Sequence, residues 1–179
     1  MTDQPSRPDS LKRQLERTRL DRALAVTESL ADCRALLTTA ELARINNVLT
    51  GKNEDPWRRD PVTIKLPSGK IETLELITDP VLSSRDKLHR ATEQAEQGAI
   101  IDAAVDLYVG LVLAHCFNDA NRRTAVLAAH YLLKRYGVPL SGLALHEIGL
   151  GDLREEGQVQ ALRETIGQMA KFAARNRSS

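Results

Sequence analysis

Leucines recur near helical spacing through the first part of the chain, with charged residues between them. The residues at these positions are Leu11, Leu15, Leu20, Leu24 and Leu30. This pattern predicts an amphipathic helix that begins at Asp9 or Ser10. A second helix is predicted after it, because Thr38 and Glu41 have the spacing of a capping box and Gly51 follows as a C-terminal stop.

A polar segment bounded by prolines, residues 52–61, separates this helical region from a different pattern. Residues 62–77 contain two short β-branched runs on either side of Pro67-Ser68-Gly69. Such runs around a turn sequence predict a β-hairpin, which we expect to be the only sheet. Helical spacing then returns, since Asp79 before Pro80 is typical of an N-cap and the first helical position.

Two strongly apolar segments follow, separated by a short polar stretch. Residues 100–114 are apolar on nearly every face apart from Asp102 and Asp106, which is typical of a central buried helix. Residues 124–137 have the same character, and a last amphipathic helix is predicted from about Gly157 onwards. We therefore predict an all-α protein, a helical bundle with two central buried helices and one β-hairpin.

The chain has 179 residues, which suits one compact unit. We assign residues 1–55 to an N-terminal helical extension, residues 56–155 to the core, and residues 156–179 to a C-terminal helix with a basic tail. The formal net charge is +1 and no long apolar stretch is present, so neither nucleic acid nor a membrane is expected as a partner. The first residues do not resemble a secretion signal, so a cytoplasmic location with reduced cysteines is expected.

The polar stretch between the two central helices, HCFNDANRRTA at residues 115–125, concentrates groups that suit phosphate chemistry. The second central helix should begin at Asn121 or Arg122, so that its free backbone amides and its dipole favour a bound anion. Asn121 adds an amide donor, and Arg122 and Arg123 add positive charge that can bind phosphate oxygens.

Three further residues of this stretch have distinct predicted roles. His115 is a candidate general base at neutral pH. Asp119 places a carboxylate beside the anion site, which suits a magnesium ion that bridges phosphates. Phe117 lies between polar neighbours, and we expect it to turn into the core and hold the loop. The stretch thus combines a base, a metal ligand and a phosphate site.

The same stretch resembles the signature of the Fic/Doc superfamily, H-P-F-x-[DE]-G-N-G-R in Fic proteins and H-x-F-x-[DN]-A-N-K-R-T-A in the Doc branch. Its characteristic residues fall on His115, Phe117, Asp119, Asn121 and Arg123. Thr124 and Ala125 continue the match as in Doc. The resemblance extends from about Trp57 to Pro139 and implies a Fic/Doc-type helical bundle around the motif.

The resemblance also implies an activity: modification of a Ser, Thr or Tyr hydroxyl of a target protein, with ATP or another nucleotide as substrate and Mg²⁺ as cofactor. In that scheme His115 deprotonates the target hydroxyl and Asp119 holds magnesium. The phosphates of the nucleotide are assigned to Asn121, Arg122, Arg123 and Thr124.

Two departures from the signature bear on which group is transferred. Most Fic enzymes attach AMP and have glycine where this chain has Arg122, whereas Doc, a toxin that phosphorylates elongation factor Tu, has lysine there. Arg122 therefore favours Doc-like transfer of the terminal phosphate, and AMP transfer or a related nucleotidyl or phosphate-group transfer is the alternative. Val126 stands where Fic proteins have a further arginine. The two departures motivate a third hypothesis, a catalytically silent module that binds a partner.

The hairpin is similar to the flap with which the family positions its targets. Candidate target-binding residues are Thr63, Ile64, Lys65 and Lys70. The structural alternative is a hairpin that only covers the core.

The family's inhibitory-helix pattern, [ST]-x-x-x-E-[GN], has no convincing match in this sequence. We therefore expect inhibition by a separate antitoxin-like protein at least as much as inhibition by a segment of the chain itself. The oligomeric state is not predicted.

Overall fold

A computed structural model describes residues 7–66, 68–140, 145–146, 148 and 151–177. Within these residues the regular structure consists of helices and one two-stranded antiparallel hairpin. In chain order the elements are α1 (Arg7–Asp32), α2 (Thr39–Thr50), β1 (Val62–Lys65), β2 (Ile71–Leu74), α3 (Pro80–Glu96), α4 (Ile100–Ala114), α5 (Asn121–Arg135) and α6 (Glu156–Arg177). The predicted all-α class with one hairpin is confirmed.

Local capping chemistry sets the helix boundaries, largely as predicted. The Thr38 hydroxyl accepts a hydrogen bond from the Glu41 amide at 3.3 Å, and Gly51 closes α2 with a φ of 68°. The Glu41 carboxylate binds the Arg44 side chain at 2.7 Å instead of completing the capping box. Asp79 caps α3 by accepting a hydrogen bond from a first-turn amide at 2.9 Å. Side-chain caps thus begin both helices by satisfying amides that the helices leave unpaired.

The core is built around α5, in which every residue from 124 to 133 is buried. This helix packs against α4, α1 and α2, and α4 packs in turn against α3 and α6. Asp102 and Asp106, the two residues excepted from the apolar pattern of α4, lie on an exposed face and pair with Arg163 of α6. None of the helices in the described residues is both long and apolar enough to span a lipid bilayer.

Polar contacts attach the N-terminal helices to this core. The Tyr131 hydroxyl and the Arg135 guanidinium of α5 both donate to the Ala35 carbonyl, at 2.5 and 3.0 Å. His130, also on α5, lies 3.1 Å from the Glu28 carboxylate of α1 through its Nε2 atom. Leu11, in contrast, is exposed at the start of α1. The middle and end of α1 therefore belong to the core, and its first turns extend past it.

Burial of His130 predicts a pH-dependent stability. The side chain is 2% exposed, and this burial lowers the pKa of His130 from its usual value of 6.5, although the Glu28 carboxylate partly opposes the shift. Because the pKa of His130 is lower in the folded than in the unfolded protein, its contribution to stability is fully present above pH 6.5, the unfolded value. This contribution to the unfolding free energy is lost as the pH falls below 6.5. We expect the urea midpoint of the wild type to fall more between about pH 7.5 and about pH 5 than that of His130→Gln.

The His130→Gln substitution keeps a side-chain donor toward Glu28 but cannot titrate. The relevant measurement is therefore the slope of unfolding free energy against pH, not the stability at a single pH. Equal slopes for the two proteins would show that His130 is not protonated on unfolding in this range.

Candidate functional site

The motif loop, residues 115–120, connects α4 to α5 through left-handed backbone at both ends. His115 ends α4 with a φ of 48°, and Ala120 precedes α5 with a φ of 56°. This conformation is unfavourable for residues that carry a Cβ atom. Contacts with the surrounding structure must therefore hold the loop in place.

Asn121 supplies two of these contacts from the first position of α5. Its side-chain Oδ1 accepts a hydrogen bond from the Phe117 amide at 2.9 Å, and its Nδ2 donates to the Phe117 carbonyl at 2.8 Å. The predicted phosphate-binding side chain is thus buried and already engaged with the loop. What Asn121 offers a bound anion is its backbone amide at the start of the helix.

Phe117 turns inward, as the sequence predicts. Its buried ring stacks on Trp57, with ring centroids 4.6 Å apart and an interplanar angle of 23°. The two residues also form a β-bridge, and the Asn118 amide donates to the Pro56 carbonyl at 2.9 Å. The segment before the hairpin therefore runs beside the motif loop as a short strand would.

Arg58 joins the motif loop to the hairpin. Its amide donates to the Cys116 carbonyl at 2.8 Å, and its guanidinium donates to the carbonyls of Leu74 and Glu75, each at 2.9 Å. The residue is only 2% exposed. A buried charge is costly unless polar partners surround it, so these carbonyls determine where the guanidinium lies. One side chain thereby positions the end of β2 relative to the loop.

His115 is half-buried at the end of α4. Burial lowers the pKa of its imidazole from the usual 6.5, and the positive charge of Arg58 lowers it further. The imidazole is consequently neutral at neutral pH and able to accept a proton.

A cavity of about 400 Å³, here called the motif cleft, opens beside His115. It is lined by His115, Asn118, Asp119, Ala120, Asn121, Arg122, Arg123 and His146. No side chain among the described residues caps the N-terminus of α5, so the first-turn amides and the helix dipole are available to an anion. The Arg123 guanidinium is only partly exposed and lies 3.9 Å from Asp119. The cleft therefore combines a proton acceptor with an anion site.

Asp119 is the acidic side chain of the motif cleft. Its carboxylate is 63% exposed and accepts a hydrogen bond from the Ala120 amide at 2.5 Å. Among the described residues no group of three or more His, Cys, Asp or Glu side chains forms a metal cage. The single carboxylate of Asp119 suits Mg²⁺, which proteins often hold through one or two carboxylates together with substrate phosphates.

Arg122 is bound by groups outside the motif loop. Its guanidinium donates to the Ile148 carbonyl at 3.0 Å and lies close to the Tyr108 hydroxyl. Burial raises the pKa of Tyr108, and the charge of Arg122 partly opposes the shift. Arg122 lines both the motif cleft and a second cavity on its other side. Its charge therefore stands between the two cavities.

That second cavity, here called the flap cleft, has a volume of about 640 Å³ and is mostly apolar. The hairpin forms one wall with Ile64 and Lys65, and His115 is shared with the motif cleft. Thr63 and Lys70, the other predicted flap residues, are exposed and do not line it. The hairpin thus lies over a space that leads to the imidazole, while its outer face remains exposed.

Thr124 does not reach the motif cleft. It is fully buried, and its hydroxyl accepts a hydrogen bond from Asn46 of α2 at 3.0 Å. The same Asn46 amide group donates to the Asp119 carbonyl at 2.9 Å. In this structure the Thr124 hydroxyl attaches α2 to α5, and its predicted phosphate contact remains a prediction.

Sequence reasoning missed several residues of the site, namely Asn46, Trp57, Arg58 and Tyr108. Asn46 lies within an ordinary amphipathic helix, and Tyr108 lies within an apolar one. Trp57 and Arg58 lie in a polar, proline-bounded segment whose composition indicates a loop. The one usable signal was a tryptophan in a polar segment, since such a residue usually packs against something.

Comparison with known proteins agrees with this geometry. The chain is similar to a Fic-domain-containing signaling protein from Bacteroides thetaiotaomicron, with 17% identity, a TM-score of 0.68, and coverage of 97% of this chain and 74% of that one. It is also similar to a fragment of Fic-1 from C. elegans, with 18% identity, a TM-score of 0.51, and coverage of 88% of this chain and 51% of that one. At these identities the likeness shows the fold alone.

No curated protein matches the sequence significantly. The profile of the Fic/DOC family, however, matches residues 36–133. The matched region begins before α2 and ends within α5, so it includes the hairpin and the whole motif loop. Because it covers more than half of the chain, the protein belongs to the Fic/DOC family.

Proposed function

We propose that this protein is a Mg²⁺- and ATP-dependent enzyme that transfers a phosphate onto a hydroxyl side chain of a target protein. The observation that carries the proposal is the arrangement of the motif cleft, where the neutral imidazole of His115 faces the uncapped N-terminus of α5 and Arg123. Proton acceptor and anion site share one cavity, which is what hydroxyl-to-phosphate chemistry requires.

In the proposed reaction His115 accepts the proton of the target hydroxyl. The hydroxyl oxygen then forms a bond to the γ-phosphorus of ATP, the bond between that phosphorus and the β–γ bridging oxygen breaks, and ADP leaves. The first-turn amides of α5 and the Arg123 guanidinium stabilise the charge on the phosphate oxygens. Asp119 would hold Mg²⁺, which when bound neutralises phosphate charge.

Arg122 supports transfer of the terminal phosphate. Its guanidinium is bound to the Ile148 carbonyl and separates the flap cleft from the motif cleft. A nucleotide with its base in the flap cleft and its phosphates in the motif cleft would have to pass this side chain. If the nucleotide instead enters the motif cleft from the side opposite the flap cleft, its γ-phosphate is the group that lies next to His115.

Labelled ATP tests which group is transferred. The protein is incubated with a cell lysate and Mg²⁺, using ATP labelled at the γ-phosphate in one sample and at the α-phosphate in another. We expect protein-bound label from the γ-labelled ATP only. Label from the α-labelled ATP would exclude the kinase and support nucleotidyl transfer.

The second candidate function is AMP transfer, and the flap cleft favours it. Its apolar wall and its volume of about 640 Å³ suit a purine base, and His115 lies at its end. In this alternative Arg122 would move aside so that the α-phosphate reaches His115. The Arg122→Gly variant tests this point, because it should raise the α-label signal if the side chain is the obstruction.

The hairpin is proposed to hold the target. A two-stranded sheet leaves an edge of each strand unpaired, and an extended segment of the target can pair with such an edge. Thr63 and Lys70 are then available to the target on the outer face, whereas Ile64 and Lys65 line the flap cleft.

We propose a separate antitoxin-like protein as the inhibitor, since α2 contacts the motif through the amide of Asn46 and not through a carboxylate.

A further inference from the structure

A third cavity lies against the motif cleft on the side of the N-terminal helix. This α1 cleft has a volume of about 460 Å³, and its lining residues are Arg13, Glu16, Arg17, Leu20, Asp21, Arg123 and His146. Arg123 and His146 also line the motif cleft. The two cavities therefore adjoin at these side chains, and Arg123 can contact a ligand on either side.

The α1 cleft contains three arginines, Arg13, Arg17 and Arg123, against two carboxylates, Glu16 and Asp21. Arg13 and Arg17 lie one helical turn apart on the same face of α1, across from Arg123. Within the described part of the chain, neither α1 arginine makes a side-chain hydrogen bond or an ion pair. Like charges one turn apart on a helix repel each other, and an anion bound between the two arginines would reduce this repulsion.

The motif cleft alone has few cations for a triphosphate. The Arg122 guanidinium is directed to the Ile148 carbonyl, so Arg123 is the cation of the motif that faces the anion site. A triphosphate chain carries several negative charges and is longer than the first turn of one helix. The next cations, in the adjoining α1 cleft, are Arg13 and Arg17.

We propose that Arg13 and Arg17, together with Arg123, form a second anion subsite that binds the part of the triphosphate chain that is not transferred. This inference rests on the proposed use of a nucleotide and adds that α1, outside the signature motif, completes the nucleotide site. The γ-phosphate then lies at the N-terminus of α5, and the α- and β-phosphates lie in the α1 cleft. Charge-assisted hydrogen bonds from arginine to phosphate supply the affinity.

Calorimetric titration with inorganic triphosphate and with inorganic phosphate, both in the presence of Mg²⁺, tests the subsite. We expect the Arg13→Ala/Arg17→Ala double variant to bind triphosphate about tenfold more weakly than the wild type, with binding of single phosphate little changed. The Arg17→Glu variant should weaken triphosphate binding further, and Arg17→Lys should retain most of it.

Arg22→Ala is the matched control, because Arg22 is an exposed arginine of the same helix that does not line the cleft. It should bind triphosphate as the wild type does. Wild-type affinity in the double variant, or no triphosphate binding by the wild type, would overturn the inference. Equal losses for triphosphate and single phosphate would also overturn it, because the subsite would then not be a separate one.

Binding and transfer are measured separately, so the two proposals can fail independently. Triphosphate binding that depends on α1, without any protein labelling, supports the subsite and contradicts the proposed function. Protein labelling together with unchanged triphosphate affinity in the double variant supports the proposed function and contradicts the subsite. If an acidic partner protein binds the double variant more weakly while triphosphate affinity is unchanged, the cleft serves a protein ligand and the inference is wrong.

Discussion

Replacing His115 with alanine should reduce the rate of protein labelling from γ-labelled ATP by a factor of about 10²–10⁴. The reason is that His115 is the titratable proton acceptor that lines both the motif cleft and the flap cleft, and its lowered pKa keeps it neutral at neutral pH. Without the imidazole, the target hydroxyl has no base positioned beside the transferred phosphate. The measurement is the initial rate of label incorporation into a purified target, once the lysate experiment has identified one.

His89→Ala is the matched control for this substitution. His89 is exposed on α3 and pairs with Glu93 at 3.2 Å, away from both clefts. Its replacement should leave the labelling rate unchanged. If His115→Ala retains both the labelling rate and any toxicity on overexpression, the enzymatic proposals are wrong, and the protein is better explained as a Fic-like module that binds a partner.

Replacing Arg58 with methionine should give the largest loss of stability among the site residues, about 2–4 kcal/mol of unfolding free energy. The substitution fills similar volume but removes the donors that satisfy the Leu74 and Glu75 carbonyls, each bound at 2.9 Å. These carbonyls lie at the end of β2, so the hairpin should also lose its fixed position beside the motif loop. Chemical denaturation measures the first effect, and proteolysis of the hairpin measures the second.

Arg59→Met is the control, since the neighbouring side chain is 79% exposed and pairs only with Asp55 at the surface. Its effect should stay within about 0.5 kcal/mol. Arg58→Lys should recover part of the stability, because one ammonium group can reach at most some of the carbonyls that the guanidinium binds. Equal stabilities for Arg58→Met and Arg59→Met would contradict the structural role of Arg58.

A pH profile separates the electrostatic role of Arg58 from its packing role. The charge of Arg58 helps to lower the pKa of His115, so its removal raises that pKa toward the usual value of 6.5. In Arg58→Met, activity should therefore be lost at a higher pH on the acidic side than in the wild type. Arg58→Lys keeps the charge and should keep the wild-type profile, even if its stability is lower.

Much of the fold followed from local patterns. Thr38, Gly51 and Asp79 set helix ends through hydrogen bonds and backbone angles that involve only near neighbours in the chain. The β-branched runs predicted the hairpin for the same reason. The partner of the two α4 aspartates could not be foreseen, because their pairing with Arg163 depends on where a distant helix packs.

The motif loop was partly predictable as well. The sequence HCFNDANRRTA was enough to predict that a histidine, an acid and a helix start lie together, because all of them fall within a few residues of one turn. The inward position of Phe117 was also predicted correctly. The functions assigned to Asp119 and Arg123 remain predictions, although both residues line the motif cleft as required.

The partner of each polar side chain, in contrast, became known only from the folded structure. Asn121 and Thr124 were expected at a phosphate, but one holds the Phe117 backbone and the other accepts a hydrogen bond from α2. Arg58 and Arg59 are identical neighbours in sequence, yet one is buried and the other is exposed. The physical reason is that periodicity records which face of an element is apolar, whereas hydrogen-bond partners come from segments that only folding brings together.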